Sequence, residues 1–124
     1  MSVWTSEELR KIAAADDLRI QPRRSDGTLQ KAVIIWVVRL GDDLYVRSVR
    51  GRTSGWFRGI QDRHEARVLA GGVEKDVTLV ETDDTNDAVD AAYRSKYHRY
   101  AKGIVDSIVS SQARGATLKL VPRA

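Results

Sequence analysis

The run Ala-Val-Ile-Ile-Trp-Val-Val at residues 32–38 is the most apolar stretch of the chain. It is β-branched and does not alternate, and successive side chains of a strand point to opposite faces. Such a run leaves no face for water, so it predicts a strand buried on both sides at the centre of a sheet. Gly41-Asp42-Asp43 supplies a hairpin turn, and Leu44–Val49 supplies the return strand. One face of the 32–38 strand would fill a small barrel. The other needs a cover, from inserted helices or from a second copy of the chain.

The remaining elements follow from caps, periods and turns. Thr5 followed by Glu8 makes a capping box before Leu9, Ile12 and Ala13, which predicts a helix from Ser6 to Ala15. Leu18–Ile20 reads as a short strand, and Asp26-Gly27 as a turn. A short helix is expected from Trp56 to Glu65. Residues 66–70 and Val73–Glu81 read as two strands joined at Gly71-Gly72. The acidic segment 81–87 leads into a helix over Asp87–Ala101, where carboxylates complement the helix dipole. Ala116–Val121 alternates as a last strand. Hairpins with inserted helices favour an antiparallel barrel or sheet over a βαβ arrangement.

Composition narrows the possibilities. The 124 residues suit a single domain spanning 1–124, with 42% hydrophobic and 31% charged residues. Cysteine is absent, which excludes disulfides and thiolate metal sites. No apolar leader or membrane-length run is visible, so a cytoplasmic protein is expected. The net charge of +4 and pI near 9.6 favour an anionic partner. Basic and acidic residues interleave without forming a stripe, so nucleic acid is not the expected partner.

The most distinctive polar stretch is Tyr-Val-Arg-Ser-Val-Arg-Gly-Arg-Thr-Ser-Gly-Trp-Phe, residues 45–57. It is either a solvated basic loop or an anion site. Guanidinium forks bind phosphate bidentately, and a glycine-containing turn exposes backbone N–H donors. Strand alternation puts Arg47 and Val49 on one face and Ser48 and Arg50 on the other, which favours Ser48, Arg50 and Ser54 as one cluster.

Residues 54–79, Ser-Gly-Trp-Phe through Val-Thr-Leu, resemble a segment of the deazaflavin-dependent nitroreductases: Gly-Trp-aromatic, a short helix, a strand, Gly-Gly and a return strand. Nearly the whole chain resembles a family of small bacterial domains of unknown function. In that family Trp-Thr-x-x-Glu-Leu opens the chain, and Leu-Tyr-Val-Arg-Ser and Arg-Gly-x-x-Ser-x-Trp follow. Both groups belong with the FMN-binding split barrel of pyridoxamine phosphate oxidase. The resemblance implies an α+β split β-barrel of mostly antiparallel strands, usually a homodimer. It also implies a flavin or deazaflavin coenzyme, FMN among them, in an oxidoreductase acting on a small organic substrate. Arg47, Ser48, Arg50, Arg52, Thr53 and Ser54, with Trp56 at the rim, fall in the region that grips the coenzyme phosphate.

Two departures keep a second reading open. The Arg-x-x-x-Leu-Lys strand of the pyridoxamine oxidases has no counterpart, and the N-terminal part of the nitroreductase motif set is missing. A barrel without cofactor, binding a small ligand or a protein through the same cleft, is the alternative. Tyr93, Tyr97 and Tyr100 lie at i, i+4 and i+7 on one helix face with Val89. By the resemblance Tyr93 and Tyr97 would wall a substrate pocket, and by periodicity alone they would be core or dimer contacts. Trp36 reads as core. His64 and His98 show no metal-ligand spacing, the acidic segment lacks the pattern of a calcium loop, and Ser107, Ser110 and Ser111 lack a base.

Overall fold

A computed structural model describes residues 3–61 and 63–123. Helix α1 (Ser6–Ala14) opens the chain, and the capping box is formed: Thr5 Oγ1 accepts from Glu8 N–H at 3.1 Å while Glu8 Oε1 accepts from Thr5 N–H at 2.9 Å. Its apolar face, Leu9 and Ile12, seals one end of the barrel. Seven strands follow: β1 (Leu18–Pro22), β2 (Val33–Ile35), β3 (Val37–Leu40), β4 (Asp43–Arg47), β5 (Glu65–Ala70), β6 (Val73–Glu81) and β7 (Thr117–Pro122). Helices α2 (Gly55–Gly59), α3 (Asn86–Lys96), α4 (Lys102–Ile108) and α5 (Ser111–Arg114) fill the connections.

All strand pairs are antiparallel, and the order across the sheet is β2-β1-β5-β6-β7-β4-β3. The result is an α+β fold with a nearly closed, split barrel, as expected. Alternation works along β1, where Leu18, Ile20 and Pro22 point inward, and along β5, where Ala66, Val68 and Ala70 do. The β5–β6 hairpin turns at Gly71, with φ +58°, directly over α1. A Cβ there would lie 2.3 Å from the Lys11 carbonyl oxygen, so only glycine fits.

The 32–38 run departs from expectation. It forms two strands, not one, and they lie at the two ends of the sheet rather than at its centre. Val33–Ile35 pair with β1, the chain passes through Trp36, and Val37–Leu40 pair with β4. An apolar pattern reports burial but not the identity of the hydrogen-bonding neighbour. Here one short run closes the barrel by serving both edges. Burial on both faces holds only for β3: Val37 points into the barrel core, and Val38 lies beneath α3 with Tyr45, Val89, Tyr93 and Tyr97. Val33 is 36% exposed and Ile34 60%.

The change of partner at Trp36 frees backbone groups, and α3 supplies partners for them. Tyr93 donates its hydroxyl to the Trp36 carbonyl at 3.3 Å. Tyr97 accepts from Val37 N–H at 3.2 Å and donates to the Asp16 carbonyl at 2.8 Å. Lys96 Nζ donates to the Val37 carbonyl at 2.7 Å. Tyr97 also stacks on Trp36, with centroids 3.9 Å apart and planes 3° off parallel. Both tyrosines are fully buried, so their side chains are core and seam, not pocket walls or a face for a partner. Helix α3 ends at Lys96, short of the expected Ala101, with Tyr97 pinned at its C-terminus. The helix expected to reach Glu65 ends at Gly59, and α4 and the four-residue α5 are additional.

Burial at the seam pushes the Lys96 amine from 10.5 down to about 8, against the opposing pull of Asp16 and Asp17, while Arg99 adds to the lowering. Burial also pushes the Tyr93 and Tyr97 hydroxyls well above their ordinary value. Between pH 8 and 10.5 the unfolded chain therefore holds a proton at Lys96 that the folded chain has released, so stability should rise with pH across that window. Above about pH 10 unfolded tyrosines ionise while the buried pair stays protonated, which should reverse the trend. Melting temperatures of the parent and of Lys96→Met from pH 7 to 11 check this, and the rise should vanish in the variant.

Candidate functional site

The basic turn begins where β4 ends. Ser48 N–H donates to the Ala116 carbonyl at 3.3 Å, and Gly51 N–H returns to the Ser48 carbonyl at 2.9 Å. A 3-10 turn over Gly51–Thr53 then leads to Ser54, whose Oγ caps α2 by accepting from Phe57 N–H at 3.3 Å. Gly51 has φ +69°, and a Cβ on it would approach the Gln112 carbonyl oxygen to 2.9 Å. The Arg50 carbonyl accepts from Thr53 Oγ1 at 2.9 Å and from Gln112 Nε2 at 2.7 Å, which fixes the crown of the turn against α5.

Beside this turn, at the split of the barrel, lies a cavity of about 560 Å³. Its walls come from three parts of the chain: Val33–Trp36, the turn with the start of α2, and Ile104, Ser107 and Ile108 of α4. The volume lies within the range usual for small-molecule and cofactor sites. Apart from the turn the lining is mostly apolar.

Of the residues singled out in the sequence, Arg47, Ser48, Arg50, Thr53, Ser54 and Trp56 border this cavity. Their capacity to hold an anion differs sharply. Ser48 donates its hydroxyl to Ser54 Oγ at 2.7 Å, and Thr53 spends its own on the Arg50 carbonyl. Ser54 Oγ already accepts twice, from Ser48 and from Phe57 N–H, which leaves its own proton free to donate. Arg50 is exposed and makes no side-chain hydrogen bond or ion pair among the described residues. Arg50 and Ser54 are thus the donors with capacity to spare.

Arg47 does not belong to that group. It is 1% exposed, and all five of its N–H donors are engaged. Nε reaches Thr117 Oγ1 at 2.9 Å, Nη1 reaches Asp90 Oδ1 and the Ile108 carbonyl, and Nη2 takes the Asn86 carbonyl and Oδ1 at 3.1 Å each. Its guanidinium also lies 5.6 Å from the Tyr93 ring centroid. A cation so completely bonded ties β4 to β7, α3 and α4 and has no N–H left for a ligand. Arg52 points elsewhere as well: it pairs with Glu81 at 2.6 Å, sits over Phe57 and does not border the cavity. That pairing holds the Glu81 carboxyl below its ordinary range.

Tyr93 and Tyr97 do not reach the cavity, whereas Trp36, expected in the core, borders it. The α4 residues were missed because nothing in their pattern marks a wall. His64 lies 3.3 Å from Glu81, His98 contacts the Ser95 carbonyl, and neither borders the cavity. Among the described residues no three His, Cys, Asp or Glu side chains gather to hold a metal, and no helix is long and apolar enough to cross a membrane.

Two outcomes follow from this geometry. Arg47→Ala removes five hydrogen bonds and leaves Asp90 with Arg114 alone, at 3.5 Å, as a cationic partner, and should cost about 3–5 kcal/mol in urea unfolding. Arg47→Lys should recover only part of this, because one ammonium cannot replace five donors in a planar fork. Gly51→Ala forces a left-handed backbone and a clash with Gln112, and should cost about 1–3 kcal/mol in the same measurement.

No functionally curated protein is similar to the chain in sequence. Among solved structures, a conserved hypothetical protein from Mycobacterium tuberculosis superposes with a TM-score of 0.69 at 11% identity, covering 99% of this chain and 83% of that one. HutZ, the heme storage protein from Vibrio cholerae, superposes at 0.64 with 12% identity over 100% and 92% of the two chains. A FAD-binding protein from Mesorhizobium loti superposes at 0.58 with 16% identity over 98% and 92%. At such identities the likeness concerns the fold alone. The model of a family described as an uncharacterised protein conserved in bacteria, DUF2255, matches residues 8–120, a span that takes in the basic turn, Trp36 and the cavity walls. The chain belongs to this bacterial family.

Proposed function

We propose that the cavity binds a flavin-type coenzyme, FMN or a deazaflavin, in a cytoplasmic homodimer that acts on a small organic substrate. One observation carries the reading: a single cavity combines an unengaged guanidinium and a free hydroxyl with walls that are otherwise mostly apolar. An amphipathic ligand with an anionic tail and a flat apolar body matches that division. Arg50 and Ser54 would grip the phosphate, while Ser48 and Thr53 hold the turn in shape. When bound, the ring would supply hydride chemistry. The chain would orient it and exclude water. This agrees with the lack of a nucleophile–base pair among the cavity residues.

The choice of a flavin over heme rests on the donor set. Among the described residues the cavity lining contains no His, Cys, Met or Tyr, so a heme iron would find no side-chain axial ligand there. The homodimer rests on the edge strand β2, whose Val33 and Ile34 remain open to solvent beside the cavity mouth with Val49 and Ile104. A two-fold interface of standard size buries about 1,600 Å².

Arg50→Ala and Ser54→Ala should weaken FMN binding about ten- to hundredfold, the loss of one charge-assisted or buried hydrogen bond. Arg50→Ala should leave the melting temperature unchanged, since the side chain is exposed and unbonded. Ser54→Ala should also lose the α2 cap, about 1 kcal/mol. Calorimetry with FMN and with a deazaflavin reads both affinities. Equal affinity in parent and variants would move the anion grip elsewhere. No binding by the parent would favour the cofactor-free domain that takes a small ligand or a protein. Light scattering checks the assembly, and a monomer above micromolar concentration would remove the dimer.

A further inference from the structure

Two indoles border the cavity, and they are held differently. Trp56 is 9% exposed and belongs to the barrel core with Phe57, its edge-on neighbour at 6.0 Å. Trp36 is only partly buried, yet it is more tightly constrained. Its ring stacks on Tyr97 at 3.9 Å and 3°, and Tyr100 closes in at 5.0 Å and 48°. Its carbonyl is bonded by Tyr93, and the next backbone N–H by Tyr97. The ring and the backbone that carries it are therefore fixed together from the side of α3, at the residue between β2 and β3 where the chain changes strand partner.

From this arrangement we infer that Trp36 is an immobilised aromatic shelf on which a planar conjugated ring stacks, so that the cavity selects flat-ring ligands over aliphatic ones. The inference deepens the proposed coenzyme site and rests on it. The other apolar walls, Val33, Ile35, Ile104 and Ile108, would accept an acyl chain as readily as a ring. The shelf is the element that discriminates, because aromatic faces gain from offset stacking beyond the area they bury. A shelf already held in place loses no side-chain entropy on binding. Tyr97 is a positioning residue in this scheme: it touches no ligand and acts through Trp36.

The test uses three probes: FMN, lumiflavin (the ring without phosphate) and dodecyl phosphate (phosphate without a ring). The parent should bind FMN and lumiflavin with their emission strongly quenched by the adjacent indole. Trp36→Leu should weaken both about tenfold or more, as loss of a stacked ring does elsewhere, restore the emission, and leave dodecyl phosphate binding unchanged. Trp36→Phe keeps a ring in place and should retain most of the affinity while losing the quenching. Tyr97→Phe should preserve the quenching, and Tyr97→Leu should partly release it. FMN bound with equal affinity and equal emission by Trp36→Leu would overturn the shelf while leaving the coenzyme site standing. If the parent binds no FMN, the coenzyme reading falls and the shelf is judged on lumiflavin. Binding that is lost in Trp36→Leu upholds it; no binding, or binding unchanged in the variant, overturns it.

Discussion

A barrel whose two edge strands are consecutive in the chain must hand its backbone from one neighbour to another within a single residue. Groups left without a ladder partner there carry the usual penalty of unsatisfied buried amides. In this protein the handover falls at Trp36, and Tyr93, Tyr97 and Lys96 complete the hydrogen bonding that the sheet cannot. Helix α3 thus supports the point at which β2 and β3 part to pair with β1 and β4. The cavity lies against β2 and Trp36, on one side of that point.

The second constraint is the Arg47 cation. Burying a guanidinium is costly, and the cost is offset only when every donor finds an acceptor. Those acceptors come from Asn86 and Asp90 on α3, Ile108 at the end of α4, and Thr117 on β7. The same side chain therefore sets the distance of α3 and α4 from the barrel, and with it the position of the α4 wall beside the cavity. Arg47, grouped with the coenzyme grip only by the resemblance, shapes the site from behind it.

How much of this was legible in the sequence depended on the range of the interaction. The capping box at Thr5 and Glu8, the Gly71-Gly72 hairpin and the alternation in β7 are local, and the structure bears each out. The division of residues 32–38 was not, because an apolar run says that side chains are buried and nothing about which strand accepts their amides. The fates of Arg47 and Arg52 were equally hidden: their partners lie between 29 and 70 positions away. Ser48 and Ser54 could be grouped because a turn separates them by only six residues. The tyrosine stripe was legible as a buried face through its helical spacing. Its role as backbone partner to the seam depends on a strand break that the sequence does not announce.

The strand order also bears on how the protein reaches its native state. Strand β7, the last of the seven along the chain, does not lie at an edge; it sits between β6 and β4. Before it is in place, the four-stranded layer β2-β1-β5-β6 and the β3–β4 hairpin share no ladder; the chain joins them at Trp36, between β2 and β3, and through the basic turn and α2, between β4 and β5. During synthesis the barrel must therefore wait, its two parts joined by chain but by no ladder, until residues 117–122 emerge and are inserted as its keystone. Such late, long-range closure favours slow folding with exposed strand edges, and it makes the final strand the step on which the whole assembly of the sheet turns.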